Sequence, residues 1–435
     1  MVVYLICYAI SFVLARQHAY ILSGLVLVAA ALWLYGKDYR CSRSLIHLRG
    51  LFCLFFVGGQ GISCFKLSRL QTDWSTQTWV CLFLGVVSFW GVFEALSRRM
   101  ASRRERDLHP VHRYNASMDS PLHGRRILKA MGVLTALSLL SFLFEAWRLG
   151  FVPLFSFGVP HAYSDFHVSG VHYFTVSCVL TPSLFVVYVL ISAHRGRGFF
   201  RDRGFWTGLA FTVLSLAVPV LCVSRFQLIL AVGMAAFTYI SMTGTFKLRY
   251  VGLLLCCMIP AYLVLTVMRS HSVEYLNGIF EMKNSRMPIF ITQPYMYIAN
   301  NYDNFNCLVE QLGTHAMGLR MLFPVWALTG LKFLFPKLVS FPLFVTKEEL
   351  TTVTLFYDAY YDFGALGMLL LGSVLGVACC WLVEKRKKLS CPVGHVFYAQ
   401  IAMYMMLSFF TTWFSNPATW FYLAVTAVVY VYVRL

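Results

Sequence analysis

The stretch GALGMLLLGSVLGVACCWLV, residues 364–383, decides the class of fold to which this chain belongs. It carries no charged side chain, and a helix of about 20 residues crosses the roughly 30 Å hydrocarbon core of a bilayer. Apolar runs of similar length recur along the chain, which is 59% hydrophobic and 12% charged and has a mean hydropathy of +0.68. The short alternating segments of a membrane β-barrel are not present. The sequence therefore predicts an all-α polytopic membrane protein.

About twelve helices are predicted to cross the membrane. They cover approximately residues 1–15, 20–36, 50–66, 79–96, 127–147, 173–193, 206–223, 227–243, 250–268, 364–383, 395–414 and 417–433. If every one of them crosses, about two thirds of the 36 Lys and Arg residues lie on one side of the membrane. Positively charged loops mark the cytoplasmic side, so both termini and the basic loop 97–126 are predicted to be cytoplasmic. This loop is interpreted as a topology signal, with a catalytic role as the alternative.

We expect one membrane domain over residues 1–435, with two polar segments on the outer face, 148–172 and 269–363. The second contains the apolar piece MLFPVWALTGLKFLF, residues 321–335, and a single crossing there would break the alternation of the basic loops. Because the piece is short and contains Pro324, it is predicted to form a re-entrant or interfacial helix. A paired crossing is the alternative.

Two kinds of ligand are disfavoured by the composition. The net charge of +18 matches the cytoplasmic loops of a multispan protein, and no zinc-finger or RNP motif is present, so no nucleic-acid partner is expected. Most of the 13 cysteines lie inside apolar runs, and no CxxC pair occurs. Neither a metal site nor a cofactor is therefore expected.

Four arginines on the predicted outer face are candidates for binding an anionic ligand. Arg225, in LCVSRFQL between two apolar spans, is costly at such depth unless it is paired; its alternative role is to snorkel to the interface. Arg269, Arg286 and Arg320 lie in the loop 269–363. Guanidinium groups bind phosphate oxygens in a bidentate manner. The pattern favours a lipid-linked pyrophosphate, with Arg225 and Arg286 as catalytic groups and Arg269 and Arg320 as further binding groups.

The segment TTVTLFYDAYYDFG, residues 351–364, leads directly into the span at 364–383. On a helix, Tyr357 and Tyr361 are four residues apart, as are Asp358 and Asp362, so that two rings lie beside two carboxylates. Aromatic rings together with hydrogen-bonding carboxylates suit the binding of a sugar. The alternative is an aromatic belt at the membrane interface.

The base that would deprotonate a sugar hydroxyl stays open among several side chains. Either of the two aspartates, Glu348 or His315 could take this role. A second wall of the substrate site is predicted from Tyr163 and His167, which lie between Pro and Gly turns in the loop 148–172.

Several of these features resemble the Wzy-type oligosaccharide repeat-unit polymerases, the O-antigen and capsule polymerases of bacteria. They are the pair Ser224 and Arg225 at the start of an apolar span, the large outer loop with Arg286, and the run TVTLFYDAYYDFGALG at residues 352–367. Together with the number of spans and the position of the loops, the resemblance covers nearly the whole chain.

The resemblance implies the GT-C-like fold of the related O-antigen ligases. By position it also implies that Arg225, Arg286 and His315 lie at the catalytic centre. One feature of the family is not kept, an arginine followed eleven residues later by glycine, because Ala236 and Tyr297 occupy those positions here.

The activity that the resemblance implies is that of a membrane glycosyltransferase that needs no metal ion. It would polymerise undecaprenyl-pyrophosphate-linked repeat units at the periplasmic face of the bacterial inner membrane. Its partners would be these glycans, membrane lipids, a chain-length regulator and a flippase. Two alternatives stay open: an O-antigen ligase, and a non-catalytic flippase or exporter of lipid-linked glycans. Because charge is nearly absent from the middle of the spans, an enzyme acting on the outer face is favoured over a transport path.

Overall fold

The computed structural model describes residues 1–102, 121–156, 162–194, 201–246, 273–284, 286–386, 389 and 391–435. Within these ranges the chain is helical and contains no strand, apart from one isolated antiparallel bridge between Ser68 and Met282. The principal helices, in chain order, are α1 Val2–Arg16, α2 Tyr20–Ser42, α3 Leu48–Ser63, α4 Thr76–Ser102, α5 Pro121–Leu149, α6 His172–Ala193, α7 Arg203–Leu221, α8 Arg225–Thr243, α9 Val273–Phe280, α10 Ile289–Gln311, α11 Phe323–Leu328, α12 Tyr357–Arg386, α13 Val393–Met406 and α14 Pro417–Arg434.

The chain groups into two compact units, where the sequence predicts one domain. The first unit comprises Met1–Pro110, Ser272–Lys385 and Tyr404–Trp420. The second comprises Val111–His271, Arg386–Met403 and Phe421–Leu435.

Seven helices of the described chain are long and apolar enough to cross a membrane, and they coincide with seven of the twelve predicted spans. These helices are α2, α4, α5, α6, α7, α8 and α12. The prediction of a polytopic α-helical membrane protein is therefore confirmed, and the number of twelve crossings stays a prediction. The predicted spans 1–15 and 50–66 coincide with the shorter apolar helices α1 and α3. The span predicted at 250–268 lies outside the described residues.

The two C-terminal spans fare differently. Helix α14 covers the predicted span 417–433. The predicted span 395–414 has the wrong end, because α13 stops at Met406 and the chain continues through turns and a 3-10 helix at Trp413–Ser415. Side chains such as Trp413, which the hydropathy pattern assigns to the span, are buried in these turns instead.

Small residues and hydroxyl groups hold the apolar helices of the first unit together. A side chain at Gly24 on α2 or at Gly61 on α3 would overlap the carbonyl oxygen of the other residue, so these helices cross in backbone contact. Ser11 on α1 and Ser23 on α2 each donate a hydrogen bond to the carbonyl oxygen of the other, at 3.0 and 2.9 Å. In a bilayer, close approach and interhelical hydrogen bonds replace the hydrophobic effect as the cause of helix association.

A buried ion network joins α2, α3 and α4 at the ends that the basic loops predict to be cytoplasmic. The Arg49 guanidinium donates to both oxygens of Asp38 and, at 2.5 Å, to Glu94. Arg49 and Asp38 are only 8% and 3% exposed. Arg49 therefore has a structural role as a buried charge, in addition to being one of the basic residues that indicate the cytoplasmic side.

The predicted outer segment 269–363 contains a long helix that the sequence analysis did not predict. Helix α10 has 23 residues and packs against α3 and α9. Its buried side includes a run of polar side chains, Asn300, Asn301, Asp303, Asn304 and Asn306. Such a face is compatible with burial only when each polar group has a partner.

The apolar piece 321–335 forms α11 and a separate helical turn at Leu331–Leu334, with Gly330 between them in the left-handed region (φ 78°). Six and four helical residues are too few to cross a bilayer. The turn leaves Phe333 and Leu334 64% and 73% exposed. This shape supports the predicted re-entrant or interfacial helix over the alternative of a paired crossing.

Candidate functional site

The segment 351–364 places its aromatic and acidic residues on a short helical stretch that ends at a kink. Helix α12 begins at Tyr357, and Gly364 has a non-helical conformation (φ 57°, ψ −140°). The kink removes the helical partners of two carbonyl groups. They accept hydrogen bonds from the preceding loop instead, from the Ala316 N–H to the Tyr361 carbonyl and from the Met317 N–H to the Asp362 carbonyl, each 3.2 Å long.

Asp362 anchors the same loop through its side chain. It is completely buried, and its two carboxylate oxygens accept the backbone N–H groups of Arg320 and Met321 at 3.2 and 2.7 Å. A carboxylate with both oxygens engaged in this way has a positioning role, because it fixes the backbone from which the Arg320 side chain projects.

Arg320 is the arginine that the structure brings to the predicted tyrosines and aspartates. Its Nε–H donates to Asp358 Oδ1 at 2.6 Å. Its guanidinium carbon lies 4.5 Å from the centre of the Tyr361 ring and 5.7 Å from that of Tyr357. Both distances permit cation–π attraction. Within the described part of the chain, the two terminal NH2 groups of Arg320 make no hydrogen bond and stay available to a ligand.

A cavity of about 180 Å³ adjoins this cluster, and we call it the Arg320 cavity. Its polar lining consists of Arg320, Asp358 and Ser415. Its remaining lining is apolar, from Leu319, Phe323, Leu338, Val339 and Phe341. The combination of a guanidinium, a carboxylate and apolar walls suits an anionic group that is attached to a larger molecule.

His315 lies at the kink and does not line the Arg320 cavity. It is exposed, and its Nδ1 lies 3.2 Å from the Tyr361 carbonyl oxygen. Because a carbonyl oxygen only accepts, Nδ1 is the donor of this hydrogen bond. A side-chain carbon at Gly364 would lie 3.0 Å from His315 Nε2. His315 therefore contacts the segment that forms the site.

Asparagines of α10 fix the extended segment that precedes α12. Asn304 Nδ2 donates to the carbonyl oxygens of Leu350 and Thr352 at 2.7 and 2.8 Å. Thr352 Oγ1 donates to Asn301 Oδ1 at 2.6 Å. These bonds fix the backbone just before α12 to α10, so α10 helps to position the tyrosines and aspartates of the site.

A buried charge pair in the same unit was not predicted from the sequence. Lys66 Nζ lies 2.5 Å from Asp303 Oδ1, and their side chains are 6% and 1% exposed. Asp303 also accepts hydrogen bonds from Gln71 Nε2 at 2.6 Å, Trp74 Nε1 at 2.8 Å and Ser63 Oγ at 3.2 Å. Lys66 has a left-handed backbone (φ 50°), which a non-glycine residue keeps only where its surroundings hold it.

Tyr295 supports this pair through Gln71. Its hydroxyl donates to Gln71 Oε1 at 2.5 Å and accepts the Leu67 N–H at 3.0 Å. Burial raises the pKa of Tyr295 well above its usual value, so the hydroxyl remains a donor at neutral pH. Asp303 is thus surrounded by fixed donors, which is the condition under which a buried carboxylate can stay charged.

In the described part of the chain, Arg286 and Glu348 make no hydrogen bond or ion pair with the Arg320 cluster. Arg286 and Glu348 are exposed, and neither makes an ion pair with any residue that the structure describes. Arg269 lies outside the described residues. The structure therefore adds no contact to the predicted roles of these three residues.

Three predicted site residues, Arg225, Tyr163 and His167, belong to the second unit. Arg225 is half-buried at the first position of α8, two residues after Val223, whose backbone is left-handed (φ 52°). Tyr163 belongs to the helical turn Ala162–Asp165, and His167 is exposed with its ring centre 4.8 Å from that of His172.

A buried carboxylate, Glu145, connects two segments of the second unit. Glu145, completely buried near the end of α5, accepts from the Val168 N–H at 2.9 Å and from Thr175 Oγ1 at 2.7 Å, and lies 3.2 Å from His172 Nδ1. The side chain therefore fixes Val168 and the start of α6 to α5.

Among the described residues, no group of three or more His, Cys, Asp or Glu side chains is arranged to hold a metal ion. Comparisons of the chain with protein-family models, with curated proteins and with solved structures found no match.

Proposed function

We propose that the protein is a glycosyltransferase that polymerises undecaprenyl-pyrophosphate-linked oligosaccharide repeat units at the periplasmic face of the bacterial inner membrane. The observation that carries the proposal is the arrangement around Arg320. Its guanidinium lies against the rings of Tyr357 and Tyr361, is paired with Asp358 and lines a cavity at the start of a helix apolar enough to cross the membrane. Such a site combines a phosphate-binding group, aromatic surfaces for sugars and a position at the bilayer surface.

The reaction that fits this arrangement is a single displacement. A hydroxyl oxygen of the acceptor sugar attacks the anomeric carbon of the donor glycan. The bond between that carbon and the pyrophosphate oxygen breaks, and the electron pair leaves with the pyrophosphate. Arg320 stabilises the charge that develops on the leaving group, and Asp358 accepts the proton of the hydroxyl. Because a guanidinium supplies the positive charge, the proposed reaction needs no metal ion.

The main role in leaving-group binding goes to Arg320 in this proposal, in place of Arg286. Arg320 is held by Asp358 and by the hydrogen bond from its backbone N–H to Asp362, and a positioned donor stabilises a transition state better than an exposed one. Arg225 and Arg286 remain proposed contributors, and His315 and Glu348 remain alternative bases.

Deletion of the gene tests the proposed reaction against its alternatives. In the deletion strain, the ladder of long surface glycans should collapse to a single repeat unit on the core, and a plasmid copy of the gene should restore it. The measurement is gel electrophoresis of the surface glycan. Free lipid-linked polymer would indicate a ligase instead, and accumulation of lipid-linked units on the cytoplasmic side would indicate a flippase.

The orientation of the chain can be tested with single cysteines. The exposed residues Glu281 and Glu348 lie in the segment predicted to be outside, so Glu281→Cys and Glu348→Cys should react with a membrane-impermeant maleimide in intact cells. The native Cys41, exposed near the end of α2, is predicted to be cytoplasmic and should react only after permeabilisation. Cys41→Ser supplies the background for the two outer positions. Labelling of Cys41 in intact cells would reverse the orientation and place the Arg320 site on the cytoplasmic side.

A further inference from the structure

The first unit contains a second cavity, of about 220 Å³, that the proposed reaction does not use. We call it the Arg16 cavity. It lies where α1 and α3 end and α2 and α4 begin, which the predicted topology assigns to the outer face. Its lining includes Arg16, His18, Lys66, Asp73 and Trp79.

Among the described residues, the charges of the Arg16 cavity leave Arg16 without a carboxylate partner. Asp73 accepts a hydrogen bond from Tyr20 at 2.6 Å and lies 3.6 Å from His18 Nδ1. Lys66 is committed to Asp303, as described above. Arg16 makes no ion pair with any residue in the described ranges, and its one side-chain hydrogen bond, to Thr76 Oγ1, is 2.7 Å long. The remaining donors of Arg16 can therefore bind an anion.

An apolar groove of about 300 Å³ begins at the same place. It runs between α1 and α4 and is lined by residues that include Leu5, Phe12, Trp79, Val80 and Phe83. Trp79 is part of both linings, and Leu5 and Val80 are 38% and 48% exposed. A groove of this kind on a membrane helix faces hydrocarbon.

Arg16 stands at the junction of the cavity and the groove. Its guanidinium carbon lies 5.2 Å from the centre of the Phe12 ring, and its partner Thr76 also lines the groove. A cation at this point therefore has the polar groups of the Arg16 cavity on one side and the apolar groove on the other.

We propose that the Arg16 cavity and the groove together bind one anionic lipid of the outer leaflet, with its phosphate at Arg16 and one hydrocarbon chain in the groove between α1 and α4. The continuity of the two spaces and the unpaired charge of Arg16 carry the proposal. Free phosphate would use only the polar half of this site. The proposal does not depend on the glycosyltransferase activity, because it concerns a lipid site separate from the Arg320 cavity.

Native mass spectrometry of the purified protein in neutral detergent, titrated with dioleoyl phosphatidate, tests the proposal. Arg16→Gln removes the phosphate partner and should weaken the first binding event by about ten- to a hundredfold. Val80→Trp fills the groove from an exposed position and should weaken it by about tenfold, as expected when roughly two methylene groups lose their burial.

Matched controls separate these effects from general changes in charge or bulk. Arg69→Gln removes an exposed arginine of the loop between α3 and α4, and Val13→Trp adds the same ring to an exposed position of α1 that does not line the groove. Both should bind phosphatidate as the unaltered protein does. Dioleoylglycerol, which lacks the phosphate, should bind at least about tenfold more weakly. Inorganic phosphate at about 10 mM, which would fill a site with a dissociation constant of about 1 mM, should not displace phosphatidate.

Four outcomes would overturn the proposal. Equal binding of dioleoylglycerol would reduce the site to an apolar groove, and displacement by inorganic phosphate would reduce it to an anion site. Unchanged affinity of Arg16→Gln, or an equal loss in Arg69→Gln, would show that Arg16 does not hold the lipid.

Discussion

Replacing Lys66 by methionine is expected to lower the free energy of unfolding by about 3–5 kcal/mol, the range measured when one partner of a buried ion pair is removed. Methionine keeps much of the length and apolar surface of lysine, so the loss arises from the charge. Asp303, whose side chain is 1% exposed, would remain ionised without its cation or would have to take up a proton. Unfolding of the purified protein in detergent, followed by denaturant titration, measures the difference.

The matched control is Lys347→Met in the same unit. Lys347 Nζ lies 2.8 Å from Glu281 Oε1, but the side chains of this pair are 26% and 42% exposed. Because water already solvates both charges, the loss should be at most about 1 kcal/mol. If Lys66→Met lowers the free energy of unfolding no more than Lys347→Met does, the hydrogen bonds from Ser63, Gln71 and Trp74 are enough to stabilise the buried Asp303 carboxylate.

A double variant distinguishes a lost attraction from a lost shape. Lys66→Met with Asp303→Leu removes both charges, and apolar replacement of a complete buried pair is often close to neutral. The double variant should therefore recover a large part of the stability that Lys66→Met loses. Recovery would be incomplete, because the buried donors of Gln71 and Trp74 would lose their acceptor.

The apolar helices were predictable because a long uncharged run specifies a membrane helix without reference to the rest of the chain. Helix α10 was not predictable in this way. Its central residues, IANNYDNFN at 298–306, have the composition of a polar surface segment. They can be buried because they form hydrogen bonds with distant backbone groups, such as the carbonyl oxygens of Leu350 and Phe409. Hydropathy contains no information about such partners.

The sequence contains one further signal of helix packing. Gly372 and Gly376 form a small-xxx-small pair on α12, and side chains at these positions would overlap the carbonyl oxygens of Gly85 and Phe89 on α4. The spacing is typical of close helix crossings in membranes. The pair could have predicted that α12 crosses another helix in backbone contact, although not that this helix is α4.

At the candidate site, four-residue spacing correctly grouped the two tyrosines with the two aspartates, since neighbouring positions on a helix follow from the sequence alone. The choice of arginine did not follow. Arg320 joins the group because the kink at Gly364 exposes carbonyl groups that the loop before α11 caps. In a continuous helix these carbonyl groups would accept hydrogen bonds from the next turn and would not be available to the loop. The spacing also gave the two aspartates equal roles, whereas Asp362 binds backbone and Asp358 lines the cavity.

Replacing Arg320 by lysine is expected to lower the rate of glycan polymerisation by about ten- to a hundredfold at unchanged protein level. Lysine keeps the positive charge, so the pair with Asp358 and the fold should be preserved. It loses the planar fork that can hold Asp358 and a pyrophosphate oxygen at the same time. One charge-assisted hydrogen bond contributes about 1.5–3 kcal/mol, and each 1.36 kcal/mol corresponds to a factor of about ten in rate. The length distribution of the surface glycan, compared at matched expression, measures the loss.

Three further variants determine whether Arg320 acts on the substrate. Asp358→Asn keeps a hydrogen-bond acceptor for Arg320 but removes basicity, so a proton-accepting role predicts a loss at least as large as that of Arg320→Lys. Arg286→Lys should have a smaller effect, since this side chain is exposed and lies outside the cluster. Arg69→Lys, at an exposed position of the loop between α3 and α4, should polymerise normally. If Arg320→Lys gives normal ladders while Arg286→Lys shortens them, the guanidinium beside Tyr357 and Tyr361 fixes the kink of α12, and the pyrophosphate binds elsewhere.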